Sequence, residues 1–262
     1  MSIDIQEMSK RFGAKTAVDN LSLQVAPGTL YAFLGPNGAG KTTTIKVITG
    51  LLRPTAGTVR VAGHDIVEEG MAARRVISYV PDQPFLYEKL SGREFLQFVG
   101  NMYGLEPADC ARRIGELSER FGTTEYLDDL SEAYSHGMKQ RVVLIAAMLH
   151  DPQVLVVDEP MVGLDPRSAR LVKDVLRERV ADGVCVFMST HTLSIADELA
   201  DRIGIIHRGR LIEEGTVDEL RARAHTSGKL EDVFLTLTQE TAGGQSAGEG
   251  ERGEQGHGEA NS

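Results

Sequence analysis

Gly35-Pro36-Asn37-Gly38-Ala39-Gly40-Lys41-Thr42 is a glycine, four residues, then Gly-Lys-Thr, the pattern of a phosphate-binding loop. The apolar run before it, Leu30 to Leu34, reads as a buried strand, and Lys41 to Leu52 after it reads as a helix. That strand–loop–helix setting gives the motif its chemistry. Glycines let successive backbone N–H groups turn inward on phosphate oxygens, and the helix offers its positive N-terminal end to the same anion. Lys41 adds a mobile point charge, and the Thr42 hydroxyl is placed to ligate Mg²⁺. The candidate nucleotide contacts are Gly35, Pro36, Asn37, Gly38, Ala39, Gly40, Lys41, Thr42 and Thr43. By itself the loop fits a kinase, a GTPase, a helicase or a transport motor equally well.

Further along, Val154–Val157, Val184–Met188 and Ile203–Ile206 are short, continuous, mostly β-branched or apolar runs separated by helical patterns. Such runs predict a parallel sheet covered on both faces. Gly209 is expected in a tight hairpin turn between Ile203–His207 and Arg210–Glu213. From about residue 90 to 150 the periodicity is helical, with Phe95, Leu96, Val99 and Met102 on one face, predicting a helical insert. Val154–Val157 runs into Asp158-Glu159. Ligand-facing groups of such sheets sit at the carboxyl ends of strands, so Asp158 is a candidate Mg²⁺ ligand and Glu159 a candidate base for an attacking water.

The chain has 262 residues and a formal net charge of -10. So acidic a balance disfavours general nucleic-acid binding or adhesion to anionic lipid. Cys110 and Cys185 stand outside any metal or redox pattern, and buried thiols in a reducing compartment are expected. The start Met1-Ser2-Ile3-Asp4 lacks the basic residues and apolar run of a signal peptide. The longest apolar stretch, Val142 to Leu149, is far below the roughly 20 residues of a membrane span. A cytoplasmic protein is expected, held at a membrane only through a partner. Residues 241–262 contain no Val, Ile, Leu, Met or aromatic residue and are expected to be a disordered tail.

Three more motifs follow in order: Tyr134-Ser135-His136-Gly137-Met138-Lys139-Gln140-Arg141 before an apolar helix, Gly163-Leu164-Asp165-Pro166 after the acidic strand, and Ser189-Thr190-His191 at the end of the next one. With the phosphate loop, this order resembles ABC ATPases over nearly the whole chain to about residue 238. The resemblance implies an α/β P-loop NTPase fold with a parallel-sheet core, an N-terminal antiparallel β region and a helical insert. The ATPase domain would span 1–222, followed by an extension over 223–240 and the tail. The resemblance further implies ATP and Mg²⁺ as ligands and a head-to-tail pair with a second ATPase subunit. In that pair, Ser135 and Gly137 of one subunit cap the γ-phosphate on the loop of the other. It implies that Asp165 communicates across the pair, that His191 contacts the γ-phosphate, and that Phe12 stacks on adenine.

Departures from the family pattern are visible. Tyr134, His136 and Met138 stand where Leu, Gly and Gln are common. Asp82 follows Pro81, where a Gln touching Mg²⁺ and water is usual, and Gln83 comes next; register favours Asp82. The run Pro81 to Leu96 resembles bacterial export-type (ABC-2-like) subunits, which implies a transmembrane permease partner. Phe85, Leu86 and Tyr87 are read either as an exposed grip for that partner or as core of the insert. A single phosphate loop and no internal repeat argue against ribosome-acting relatives, and a short spacing from loop to signature argues against DNA-repair relatives. Glu159 and His191 argue against a module that only binds nucleotide.

Overall fold

The computed structural model describes residues 1–223 together with Asp232 and Phe234. The expected extension over 223–240 and the tail over 241–262 therefore lie almost wholly outside the described residues. Strands β1 (Ile3–Phe12), β2 (Lys15–Val25), β3 (Leu30–Leu34), β4 (Ala56–Val61), β5 (His64–Asp65), β6 (Ile77–Val80), β7 (Val154–Asp158), β8 (Cys185–Thr190), β9 (Arg202–His207) and β10 (Arg210–Gly215) form two sheets. The first is four-stranded and antiparallel, in the order β2-β1-β4-β5; the second is six-stranded, in the order β10-β9-β3-β8-β7-β6. Within the second sheet β9, β3, β8, β7 and β6 run parallel, and β10 closes one edge antiparallel to β9.

Side-chain alternation explains why the parallel strands are apolar throughout. On β3, Leu30, Ala32 and Leu34 pack into one core, while Tyr31 and Phe33 pack into another. On β8, Val186 and Met188 face the first core and Cys185 and Phe187 the second, as the two-residue strand period requires. Helix α1 (Lys41–Ile48) lies in the second core, touching β2 and β4 of one sheet and β7 and β8 of the other. It stops short of the expected Leu52. Thr49 leaves helical geometry and Gly50 takes φ 70°, the left-handed exit that favours glycine. Val184 likewise precedes its strand.

The first core is completed by the helical insert, α3 (Gly92–Met102), α4 (Pro107–Phe121) and α5 (His136–Met148), and by α6 (Pro166–Ala181) and α7 (Leu193–Leu199). The short α2 (Gly70–Arg75) leads into β6, and α8 (Val217–Arg223) ends the described body. Leu96 is fully buried, but Met102 is 71% exposed; the shared helical face runs out of partners at its last turn. Cys110 and Cys185 are buried free thiols. Among the described residues no helix is long and apolar enough to cross a membrane.

Candidate functional site

The phosphate loop is packed too tightly for side chains at its two hinges. A β-carbon on Gly35 would lie 2.4 Å from the Ile206 carbonyl oxygen, and one on Gly40, at φ 113°, would lie 2.7 Å from that of Ala17. The loop is thus pressed between β9 and β2. Lys41, the first residue of α1, is 6% exposed. Its ammonium donates to the Gly35 carbonyl at 2.7 Å and lies 3.6 Å from Glu159 Oε1.

Asp158 ends β7 opposite Ser189 on β8. The Ser189 hydroxyl donates to Oδ1, and the Thr42 side chain also hydrogen-bonds the carboxylate. Oδ2 is buried without a partner. Burial lifts the Asp158 carboxyl above its usual range, with the charges of Asp82 and Glu159 adding to the rise and the Ser189 and Thr42 hydrogen bonds opposing it. A buried carboxylate with an unspent oxygen beside a hydroxyl suits a hard cation. The residues present therefore fit Mg²⁺, which Thr42 and Asp158 could hold. Few protein ligands are what that ion needs when phosphate and water supply the rest.

Glu159 departs from strand geometry. Its φ is +49°, unusual for a residue with a β-carbon. The turn swings its side chain away from that of Asp158. Oε1 meets His191 Nδ1 at 2.8 Å, and the carboxylate is only 14% exposed. Lys41, Glu159 and His191 thereby form one chain of contacts from three separate elements. Strain held at such a point is a recognised mark of functional sites.

A cleft of about 440 Å³ is lined by the loop residues 36–38 and 40–43, by Asp82, Asp158 and Glu159, and by Lys15, Thr16, Ala17 and Arg208, while Gly35 and the buried Ala39 lie outside the lining. Asp82 faces it; Gln83, whose N–H donates to Asp82 Oδ1 at 2.9 Å, does not. Phe12, 48% exposed, lies just outside the lining as the register partner of Lys15, with Lys10 Nζ 5.1 Å from its ring centre. Sequence reasoning missed Ser189 as the support of Asp158, and Lys15 and Arg208 as cleft cations. Lys15 and Arg208 belong to no motif, and Ser189, though it opens the Ser189-Thr190-His191 motif, meets Asp158 only through the register of β7 and β8.

Ser135 and Gly137 lie outside this cleft. Ser135 is the N-cap of α5, its hydroxyl accepting from the Met138 N–H at 3.3 Å. Asp165 also lies outside and caps α6. Its Oδ1 accepts from the N–H groups of Arg167 and Ser168 at 3.0 Å, and the Ser168 hydroxyl donates to Oδ2. Hydrogen bonding to Ser168, chiefly from its side chain, holds the Asp165 carboxyl below its usual range. Within one chain, then, Asp165 serves its own helix and touches no part of the nucleotide cleft.

Residues 18–162 match the family model described as ABC transporter. The chain is 43% identical over 234 residues to the daunorubicin resistance ATP-binding protein DrrA3 of Streptomyces coeruleorubidus, covering 89% of this chain and 73% of that one. It is 38% identical to the Nod factor export ATP-binding protein I of Paraburkholderia xenovorans, over 84% of this chain and 73% of that one. A solved ATP-binding subunit of an ABC transporter superposes with a TM-score of 0.86 at 32% identity, covering 91% of this chain and all of the other. A phosphate loop backed by a buried carboxylate, with Glu159 and His191 alongside, on this two-sheet body and with these relatives, has one reading: the chain belongs to the ABC transporter family, as one of its ATP-binding ATPase subunits.

Proposed function

We propose that this subunit, through an ATPase domain over 1–222, hydrolyses MgATP in a head-to-tail pair and drives export through a separate transmembrane permease. The contact chain Lys41–Glu159–His191 carries the reading. The loop amides and Lys41 neutralise the phosphates, and Phe12 stacks on the base. Thr42 and Asp158 hold Mg²⁺, with Asp82 near enough to steady its water shell; the ion supplies charge neutralisation at the phosphate oxygens. Glu159, turned out of its strand, orients and deprotonates the attacking water. His191 fixes the Glu159 carboxylate from the outer side and reaches the γ-phosphate.

Ser135, exposed, and Gly137, half-buried, at the N-terminal end of α5 supply a hydroxyl and a helix dipole to the nucleotide of the opposing subunit. Asp165 lies at the same surface. Export as the direction follows the relatives named for drug resistance and for Nod factor export, and membrane attachment at the inner face follows from the permease. Light scattering on Glu159→Gln protein with and without MgATP tests the pairing. A monomer that becomes a dimer only with MgATP is expected, with hydrolysis lowered about 10²–10⁴-fold. A monomer at saturating MgATP would count against pairing through Ser135 and Gly137 in the free subunit.

A further inference from the structure

The cleft carries more negative charge than the phosphate loop offsets. Asp82, Asp158 and Glu159 all line it, against Lys41 alone from the loop. The whole chain carries a formal net charge of -10. A nucleotide polyphosphate entering this field would be repelled unless other cations focused it locally. Two do line the cleft, Lys15 at the start of β2 and Arg208 in the turn between β9 and β10. With them, the lining carboxylates and cations are equal in number.

The Arg208 turn is clamped to the phosphate loop. The Gly209 N–H donates to the Ala39 carbonyl at 2.8 Å, the Asp19 N–H donates to the Gly209 carbonyl at 2.8 Å, and a β-carbon on Gly209 would lie 2.8 Å from the Ala17 oxygen. Arg208 itself sits at φ +50°, a turn position where Asn or Gly is the relaxed choice. Its neighbour Arg210 is held by Asp19 at 2.6 Å, whereas Lys15 and Arg208 have no ion pair or side-chain hydrogen bond among the described residues. Lys15 is also the register partner of Phe12 and lines the same cleft as the phosphate loop.

We propose that Lys15 and Arg208 form a second cationic wall of the nucleotide cleft, binding the α-phosphate end that ATP and ADP share. This rests on the nucleotide reading above and adds positioning residues that no motif contains. Lys15 pairs with Phe12 in the β1–β2 ladder and Arg208 lies in a turn bonded to the phosphate loop, whereas Asp158 and Glu159 stand at the end of β7. The wall should therefore hold nucleotide before and after hydrolysis alike.

The test is titration of the full-length chain with MgATP and MgADP, comparing wild type, Lys15→Gln/Arg208→Asn and Arg208→Lys. The double variant should bind both nucleotides about 3- to 10-fold more weakly, with the larger loss at low ionic strength. Arg208→Lys should retain most of the affinity. The double variant should also melt higher than wild type without nucleotide, because Asn relaxes the turn. Opposite movement of stability and affinity excludes simple misfolding. Unchanged affinity in the double variant, or a loss confined to MgATP, would overturn the assignment while leaving the functional reading intact. A wild-type chain that bound neither nucleotide would overturn both.

Discussion

The Gly92 amide donates a hydrogen bond to the Tyr134 hydroxyl across 3.1 Å, and a β-carbon on residue 92 would lie 2.6 Å from that oxygen. The same hydroxyl donates to the Tyr126 carbonyl at 2.7 Å and has the Asp129 carbonyl 3.2 Å away. Tyr134 thus ties the start of α3 to the residue just before Ser135, which accounts for a tyrosine where an aliphatic residue is common. Gly92→Ala should lower stability by about 1–3 kcal/mol through crowding. Tyr134→Phe should cost about 1–2 kcal/mol by stranding the Gly92 N–H. Because both act on one contact, urea unfolding of the double variant should show less than the sum. Strict additivity would mean that the two residues do not interact.

Asp158→Asn should move stability and function in opposite directions. It removes a buried negative charge that Glu159 and Asp82 already disfavour, so the nucleotide-free protein should gain about 1 kcal/mol. The extra thermal protection that Mg²⁺ adds to ATP should vanish, as should most hydrolysis. Chelating Mg²⁺ should do the same to wild type and little to the variant. Melting curves with and without chelator decide it; full Mg²⁺-dependent protection in Asp158→Asn would remove Asp158 from the metal's ligands.

His150 supplies a pH dependence away from the cleft. Its ring stacks on Tyr103 with centroids 3.5 Å apart, its Nδ1 is buried without a partner, and burial lowers its pKa to about 4. The folded protein therefore holds this ring neutral while the unfolded chain protonates it near pH 6.5. The contribution is complete above about pH 6.5 and is lost as pH falls towards about 4. After discounting for the ring's partial exposure it amounts to about 2 kcal/mol. Unfolding free energies across that window should slope less in His150→Phe than in wild type; equal slopes would show that the imidazole titrates normally in the fold.

Much of this was legible in the chain because the decisive residues are neighbours. Leu30–Leu34 with Gly35–Thr42, Val154–Val157 with Asp158-Glu159, and Ser189–His191 each combine a buried strand with the chemistry at its end. What escaped depends on register or on single residues without a period. The 2.8 Å contact of Glu159 with His191 joins separate strands through a left-handed turn that no propensity announces. Strand β6 has only four residues. Phe85, Leu86 and Tyr87 read alike in the sequence, as grip or as core, and the fold divides them: Leu86 is buried at 4% exposure while Phe85 and Tyr87 stand at 68% and 49%. One apolar side chain in an irregular segment gives no sign of which way it points.

Of that run, Phe85 and Tyr87 remain open to a partner. Phe85, Phe95 and Phe98 surround Tyr87 with ring centres 5.6, 6.3 and 5.9 Å away, a partly exposed aromatic cluster of the kind that grips a partner helix. Tyr87→Ala should leave nucleotide binding and basal hydrolysis of the isolated subunit unchanged while weakening coupled transport in reconstituted vesicles. Leu86→Ala should instead cost about 2–4 kcal/mol of stability as a core truncation. Transport at wild-type rate with Tyr87→Ala would take the cluster out of the coupling surface.

The exposed capping serine and the buried lysine belong to different sites on one chain, and that separation has a kinetic meaning. On the proposed pairing, a lone molecule owns two unfinished halves. Turnover by free subunits should then rise with the square of their concentration when they are dilute, and wasteful burning of ATP should be self-limiting. A permease that holds two copies side by side lifts their effective concentration into the millimolar range. The fuel would then be spent chiefly where there is a gate to move.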